Sequence, residues 1–292
     1  MKYDSLRALV ERAEAEQTAI SELVIRDEAA ELECSCEEVF ERMRRNLQVM
    51  RESVVSGMER DVRSTSGLTG GDAWKMSQRL DHNITGRIFV SALTKAIAVS
   101  ETNACMGRIV AAPTAGSCGI LPACLLTVLE EQDIPEDTAV RALFTASAVG
   151  MVIARNATIA GAEGGCQAEC GSASAMAASA LVELCGGTPR MAEHACAIAL
   201  KNVLGLVCDP VAGLVEIPCI KRNAMGTANA FTAAEMALAG IESKIPADEV
   251  IWSMKKIGDS MHSDLKETAR GGLAATPTGK ILTEKVFGKT EE

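Results

Sequence analysis

The chain has 292 residues, of which 48% are hydrophobic and only 3% aromatic, and its formal net charge is −10. Nucleic-acid binding depends on basic clusters that displace counterions from phosphates, and the acidic balance of this chain argues against that function. With so few aromatic residues, the core has to be built from Ala, Leu, Ile, Val and Met, which favours closely spaced helices over a sheet. We therefore predict a mainly α protein: a single helical domain over residues 1–292, with active-site loops rich in Gly and Pro.

Residues 1–60 are rich in Glu and Arg, and the apolar residues between Val39 and Met50 recur at the spacing of an amphipathic helix. The first residues, MKYDSLRALVERAEAEQ, alternate charges and lack the apolar segment of a secretory signal. We predict peripheral N-terminal helices over residues 1–60, a core over residues 61–292, and a cytoplasmic location.

The rest of the chain alternates between helices and loops rich in Gly and Pro. Helices are predicted over residues 73–100 (with an interruption near 83–86 left open), 119–131, 137–155, 171–184, 228–240 and 246–261. Functional loops are predicted at residues 64–72, 111–122 and 161–171, with a turn region at 205–223. The small residues of GSASAMAASALVEL predict a central helix, and Pro189 suits the first turn of the helix that follows. The late segment GGLAATPTGK predicts a loop.

Residues 109–129 carry no formal charge and are long enough to cross a bilayer. The segment contains Pro113, Gly116, Gly119 and Pro122, with Ser and Thr between them. This composition predicts a polar turn between buried elements, so we expect no membrane span.

Among the eleven cysteines, Cys166, Cys208 and Cys219 are the strongest candidates for a metal site. They lie in or beside Gly- and Pro-rich turns, which expose the thiolates and backbone N–H groups that an iron–sulfur cluster needs. Their spacing matches neither the C-x-x-C of zinc ribbons nor the clustered run of bacterial ferredoxins, so buried structural cysteines stay an alternative. Cys170 is interpreted as packing under a helix start and not as a ligand.

The second candidate site is the turn Thr114, Ala115, Gly116 and Ser117. A Gly-containing turn that leads into a helix presents free N–H groups at the positive end of the helix dipole, which suits a carboxylate. The hydroxyl groups of Thr114 and Ser117 add donors. A plain helix-start turn is the alternative interpretation.

The three histidines, His82, His194 and His262, have no second histidine or carboxylate at metal-binding spacing. No Ser-His-Asp arrangement, P-loop or dinucleotide fingerprint is visible, so a nucleotide cofactor is not supported. A pyridoxal-binding lysine stays open, because no flanking pattern argues for or against one.

Five blocks together resemble the α subunit of iron–sulfur-dependent L-serine dehydratases: TSGLTGGDA, GRIVAAPTAGSCGILPA, GAEGGCQAECGSASAMAA, LKNVLGLVCDPVAGLVEIPCIKRNAMG and KETARGGLAATPTG. The resemblance runs from about residue 40 to 288, and the first thirty residues match only in helical character. It implies a [4Fe-4S] cluster bound by Cys166, Cys208 and Cys219. It also implies that residues 114–117 bind the anionic group of L-serine.

Three cysteines for four irons leave one iron open, so the resemblance implies a Lewis acid that acts on the hydroxyl of serine. A base removes the Cα proton, hydroxide leaves, and the resulting aminoacrylate tautomerises to an imine that hydrolyses to pyruvate and ammonia.

The chain departs from the family in two respects. Single-chain relatives end in a cysteine, whereas this sequence ends in FGKTEE, which leaves the fourth cluster ligand open. The family's histidine motif belongs to a β region that the sequence does not contain, so we expect a β subunit as partner and leave the general base unassigned. A cysteine desulfidase, a non-catalytic iron–sulfur scaffold or electron carrier, and a structural zinc site are the competing interpretations.

Overall fold

The computed structural model describes residues 3–288, which fold into thirteen α-helices without a β-strand. The helices are α1 Leu6–Ala15, α2 Ile20–Glu31, α3 Cys36–Gly57, α4 Asp72–Ser77, α5 Arg87–Ala104, α6 Ile120–Glu131, α7 Glu136–Asn156, α8 Gly161–Gly164, α9 Ser172–Leu184, α10 Pro189–Lys201, α11 Cys219–Leu238, α12 Ala247–Ser260 and α13 Pro277–Phe287. They form a single helical domain. The mainly α prediction is confirmed.

Helix α9 lies at the centre of the domain and packs against α6, α7, α10 and α11. Its small residues let the neighbouring backbones approach closely, because the distance between two helix axes depends on the side chains at their contact. Ser174 Oγ donates to Gly226 O at 2.9 Å, and Ser179 Oγ donates to Ala192 O at 2.9 Å. The predicted central helix is confirmed.

The N-terminal helices share the core of the domain. Helix α1 packs on α10 and α12, α2 on α3 and α7, and α3 on α5. Leu9, Leu23 and Leu47 are at most 1% exposed and belong to the same apolar cluster as α9. The predicted division at residue 60, between peripheral N-terminal helices and the core, stays a prediction.

Two helix starts follow local capping signals. Glu38 N donates to Ser35 Oγ at 3.2 Å and Ser35 N donates to Glu38 Oε2 at 2.9 Å, which forms a capping box at the start of α3. Met191 N donates to Thr188 Oγ1 at 3.2 Å, and Pro189 occupies the first turn of α10 as predicted.

Three element boundaries were predicted wrongly. Helix α11 begins at Cys219, well before residue 228, because the Gly- and Pro-rich signal ends at Pro218 and a proline is tolerated at a helix start. Residues 277–280 are helical, because Thr276 Oγ1 accepts from Gly279 N at 3.1 Å and starts α13 with Pro277 in its first turn. The break between α4 and α5 spans residues 78–86 and is wider than predicted.

Residues 161–171 were predicted as a loop and are instead mostly helical. After the single turn α8, residues 167–171 form a π-helical turn that runs directly into α9. Such turns insert an extra residue into a helix and occur often at functional sites. The loops predicted at 64–72 and 111–122 are irregular until α4 begins at Asp72 and α6 at Ile120.

Helix α7 is long and apolar enough to cross a membrane by length and composition alone. However, 67% of its most apolar stretch is buried inside the protein, where it packs against α9. That packing is usual for a core helix. The last four residues of the FGKTEE ending, at positions 289–292, lie outside the described residues.

A substitution at the crossing of α3 and α5 tests this packing. A Cβ atom added to Gly57 would lie 1.9 Å from Ala98 O, a backbone atom of α5. We expect Gly57→Ala to lower the free energy of unfolding by about 3 kcal/mol, because an overpacked helix contact has to shift its backbone. Urea denaturation followed by circular dichroism measures the change. The exposed neighbour provides the control: Ser56→Ala is expected to change stability by less than about 0.5 kcal/mol, and equal effects of the two substitutions would contradict the close crossing.

Candidate functional site

Three predicted cysteines approach one another from three different elements. Cys166 precedes the π-helical turn, Cys208 lies in the segment that pairs with Lys266, and Cys219 opens α11. Cys208 Sγ lies 3.9 Å from Oε2 of Glu169, which belongs to the π-helical turn after Cys166. Arg222, in the first turn of α11 after Cys219, donates to Val207 O beside Cys208. Cys166 and Cys208 are each only 3% exposed.

The segment around Cys208 is fixed by hydrogen bonds on both sides of the residue. Cys208 N donates to Leu265 O at 2.8 Å, and Glu267 N donates to Cys208 O at 2.8 Å. This backbone pairing attaches the segment to the turn that follows α12.

A buried ion pair lies next to the cysteines. Arg222 Nη2 lies 2.9 Å from Asp209 Oδ1, and Arg222 Nη1 donates to Val207 O at 2.8 Å. Asp209 Oδ2 accepts from Leu273 N at 2.8 Å. Sequence reasoning missed this pair, and the only signal for it was that each residue follows a candidate cysteine closely.

The three thiols differ in how readily they ionise. Cys170 Sγ lies 3.4 Å from Cys166 Sγ, and this thiol contact, helped by the guanidinium of Arg222, lowers the pKa of Cys166. Burial raises the pKa of Cys208 and raises that of Cys219 to about 12. The contact with Cys170 and the guanidinium of Arg222 therefore favour the thiolate form of Cys166, whereas burial disfavours that form at Cys208 and Cys219.

The donor set fits an iron–sulfur cluster better than a single ion. Within residues 3–288, no three His, Cys, Asp or Glu side chains are arranged to hold one metal ion. The thiolates of a cluster bind different irons and therefore stand further apart than the ligands of one ion. Cys166 and Cys208, which are buried, and the half-buried Cys219 lie on three separate elements beside the guanidinium of Arg222, which offsets negative charge.

The hydroxyl-bearing turn at residues 114–117 lies in the same site. Thr114 Oγ1 and Ser117 Oγ are 3.1 Å apart. Asn223 Nδ2 donates to Gly116 O at 2.8 Å and to Cys219 O at 2.9 Å, which fixes the turn against the start of α11. Its residues Ala115–Ser117 form a short 3₁₀ segment, and α6 begins three residues later at Ile120, so the turn does not start that helix directly.

Glu169 lies between this turn and the cysteines and was also missed by sequence reasoning. Thr114 Oγ1 donates to Glu169 Oε1 at 2.9 Å, and Cys208 Sγ lies 3.9 Å from Glu169 Oε2. Burial raises the pKa of this carboxyl group. An acidic residue among the small and apolar residues of QAECGSASA was the only sequence signal.

The loop at residues 64–72 reaches the same region through a second carboxylate. Ser66 Oγ donates to Glu216 Oε2 at 2.9 Å, and Thr69 Oγ1 donates to the same oxygen at 2.7 Å. Glu216 is 5% exposed and lies just before Cys219 in the turn region. The structure thus brings the predicted loops at 64–72 and 111–122 and the turn region at 205–223 to one end of the helical domain.

The fold and the site define a class of protein: an all-helical domain in which loops bring three thiols close to a hydroxyl-bearing turn. The family model described as "Serine dehydratase alpha chain" matches residues 15–274. The chain therefore belongs to the serine dehydratase alpha chain family, in agreement with the resemblance found in its sequence.

Two relatives match nearly end to end. The chain is 52% identical to the "Probable L-serine dehydratase, alpha chain" of Bacillus subtilis over 98% of this chain and 96% of that protein. It is 43% identical to the "L-serine dehydratase, alpha chain" of Peptoniphilus asaccharolyticus over 96% of each. Other relatives are longer: the match to "L-serine dehydratase 2" of Escherichia coli, at 38% identity, covers 93% of this chain but 61% of that protein.

The amide of Asn223 provides a test of how the site is assembled. Asn223→Ala leaves Gly119 N and Gly116 O without their partners, and we expect a loss of about 2–4 kcal/mol in the free energy of unfolding. Anaerobic urea denaturation measures it. Lys221→Ala, which removes only a surface ion pair to Asp72, is the matched control and is expected to cost less than about 1 kcal/mol. A stable Asn223→Ala protein would mean that the turn is held by other contacts.

Proposed function

We propose that this chain is the cluster-binding subunit of an enzyme that deaminates L-serine to pyruvate and ammonia. The relatives with which it aligns end to end are named as alpha chains of L-serine dehydratase. The observation that carries the proposal is that Cys166, Cys208 and Cys219 come from three elements that meet beside a hydroxyl-bearing turn, because soft thiolate ligands select iron–sulfur clusters and related metal centres.

In this proposal the three cysteines hold a [4Fe-4S] cluster, and residues 114–117 receive the carboxylate of the substrate. When bound, the cluster supplies an iron with Lewis acidity, which makes the hydroxyl of serine a better leaving group. The hydroxyl groups of Thr114 and Ser117 and the backbone of the turn orient the substrate. Arg222 offsets part of the negative charge that the thiolates bring into the buried site.

We further propose that a β subunit completes the active site. The name "alpha chain" of the relatives implies a second chain, and the longer E. coli relative contains a further part that this chain does not align with. The base that removes the Cα proton is assigned to neither chain.

We infer a cytoplasmic location and no nucleic-acid partner. All eleven cysteines are free thiols, as expected in a reducing compartment, and the net charge of −10 opposes binding to phosphates.

Loss of one thiol tests the cluster assignment. We expect Cys166→Ser, purified without oxygen together with the β subunit, to lose its iron and its pyruvate production, because a cluster with two protein ligands dissociates readily. Iron and acid-labile sulfide are measured per chain, together with pyruvate release from L-serine. Cys196→Ser, which alters a fully buried cysteine of α10 outside the site, is expected to keep both. A Cys166→Ser protein with full cluster content and activity contradicts the assignment.

A substrate comparison separates the proposed activity from its alternatives. With the β subunit present, release of the 2-oxo acid is expected to be fastest with L-serine, which gives pyruvate, and slower with L-threonine, which gives 2-oxobutanoate. Both activities are expected to stop after exposure to air. Preference for L-cysteine with sulfide release would identify a desulfidase. A cluster-bearing complex inactive on all three would support a scaffold or electron carrier.

A further inference from the structure

We infer that Glu169 binds the α-ammonium group of the substrate. The inference rests on the proposed function, which supplies an amino acid as the ligand, and it assigns to this chain a second contact beyond the turn at residues 114–117.

The carboxylate of Glu169 lies in a slot between two glycines. A Cβ atom on Gly116 would lie 3.2 Å from Oε1, and one on Gly161 would lie 2.7 Å from Oε2. Neither glycine has a positive φ, so the backbone conformation does not require glycine at these positions. The close approach of the carboxylate to both backbones is the feature that requires glycine.

Glu169 is partly accessible, whereas its neighbours Ala168 and Cys170 are buried. Its Oε1 accepts a hydrogen bond from Thr114 Oγ1, its Oε2 lies 3.9 Å from the thiol of Cys208, and each carboxylate oxygen offers more than one acceptor position. Each carboxylate oxygen therefore keeps acceptor capacity beyond these contacts.

The charges around Glu169 favour a cation. The charged side chain that acts on it is another acid, Glu267, and its remaining polar contact is the thiol of Cys208. Within the part of the chain that the structure describes, no Lys, Arg or His forms a salt bridge with Glu169, and the guanidinium of Arg222 is engaged by Asp209. Burying a carboxylate without a cation is costly, and an ammonium ligand would offset that cost.

The position relative to the turn matches the chemistry of an α-amino acid. The ammonium and the carboxylate of serine are attached to the same carbon, so a site for both needs an acid directly beside an anion-binding turn. Glu169 Oε1 meets that condition through Thr114, the first residue of the turn. A free carboxylic acid without an ammonium group gains nothing from Glu169 and is repelled by it.

The test compares ligands that differ in the ammonium group. In Glu169→Gln, purified anaerobically as the complete complex, we expect kcat/KM for L-serine to fall at least about tenfold, mainly through KM, because a hydrogen bond between charged groups is lost. The probe 3-hydroxypropanoate keeps the carboxylate and hydroxyl of serine but lacks the ammonium. Its affinity, from calorimetry and from inhibition of L-serine turnover, is expected to stay the same or to improve.

Two controls make the result specific. Glu163→Gln alters an exposed acid of the adjacent α8, which accepts from Thr158 Oγ1, and is expected to match the wild type for both ligands. Iron content and the visible spectrum of the Glu169→Gln protein are expected to be unchanged. A loss of iron, or an equal loss of affinity for both ligands, overturns the inference by giving Glu169 a role at the cluster or in the fold. A wild-type complex that makes no pyruvate from L-serine refutes the proposed function itself, whereas an unchanged KM in Glu169→Gln refutes the ammonium contact alone.

Discussion

The site depends on the first turn of α11, because that turn connects the parts that come from distant regions of the chain. Asn223 donates to Gly116 O and accepts from Gly119 N at 2.9 Å, so one amide fixes both ends of the bend that leads into α6. One residue earlier, Arg222 binds the backbone of Val207 and the carboxylate of Asp209. The hydroxyl-bearing turn and the Cys208 segment are therefore both positioned by adjacent residues of one helix, whose first residue is Cys219.

This arrangement carries an electrostatic constraint. Several acidic groups meet in a mostly buried space, and the cation that acts on them there is Arg222. Burial, followed by the neighbouring negative charges, favours protonated thiols and raises the pKa of Cys208 and that of Cys219. A cationic metal centre removes the same repulsion by coordination. The thiols are thus compatible with a protonated state and with the cluster-bound state proposed above.

The features that could be predicted from the sequence depend on a few neighbouring residues. The first-turn Pro189 and the small residues of α9 each act within one helix or its contact face, and both predictions are confirmed. The start of α11 was missed because Pro218 belongs to both signals: it ends a turn and it precedes a helix.

The parts that sequence reasoning could not supply depend on contacts between distant residues. Arg222 and Asp209 are thirteen positions apart, and Thr114 and Glu169 are separated by 55 positions. In the sequence, Asp209, Arg222 and Glu169 look like ordinary surface charges. Nothing in the spacing of either pair predicts that its two residues are in contact. The family resemblance pointed to the cysteines and the turn, but a carboxylate between them becomes visible only when the distances are known.

The π-helical turn at residues 167–171 explains how one short segment serves both the core and the site. A residue added to a helical turn rotates the residues before it by about 100° relative to the residues after it. Gln167 holds this wider turn in place: its Nε2 donates to Met254 O at 3.0 Å, and its Oε1 accepts from Gly205 N at 2.9 Å. Within this turn, Cys170 is buried in the core while Glu169 reaches the turn that contains Thr114. A regular α-helix would keep these residues in the i, i+4 register of α9, whose residues are nearly all buried, and the extra residue of the π-helical turn breaks that register before α9 begins.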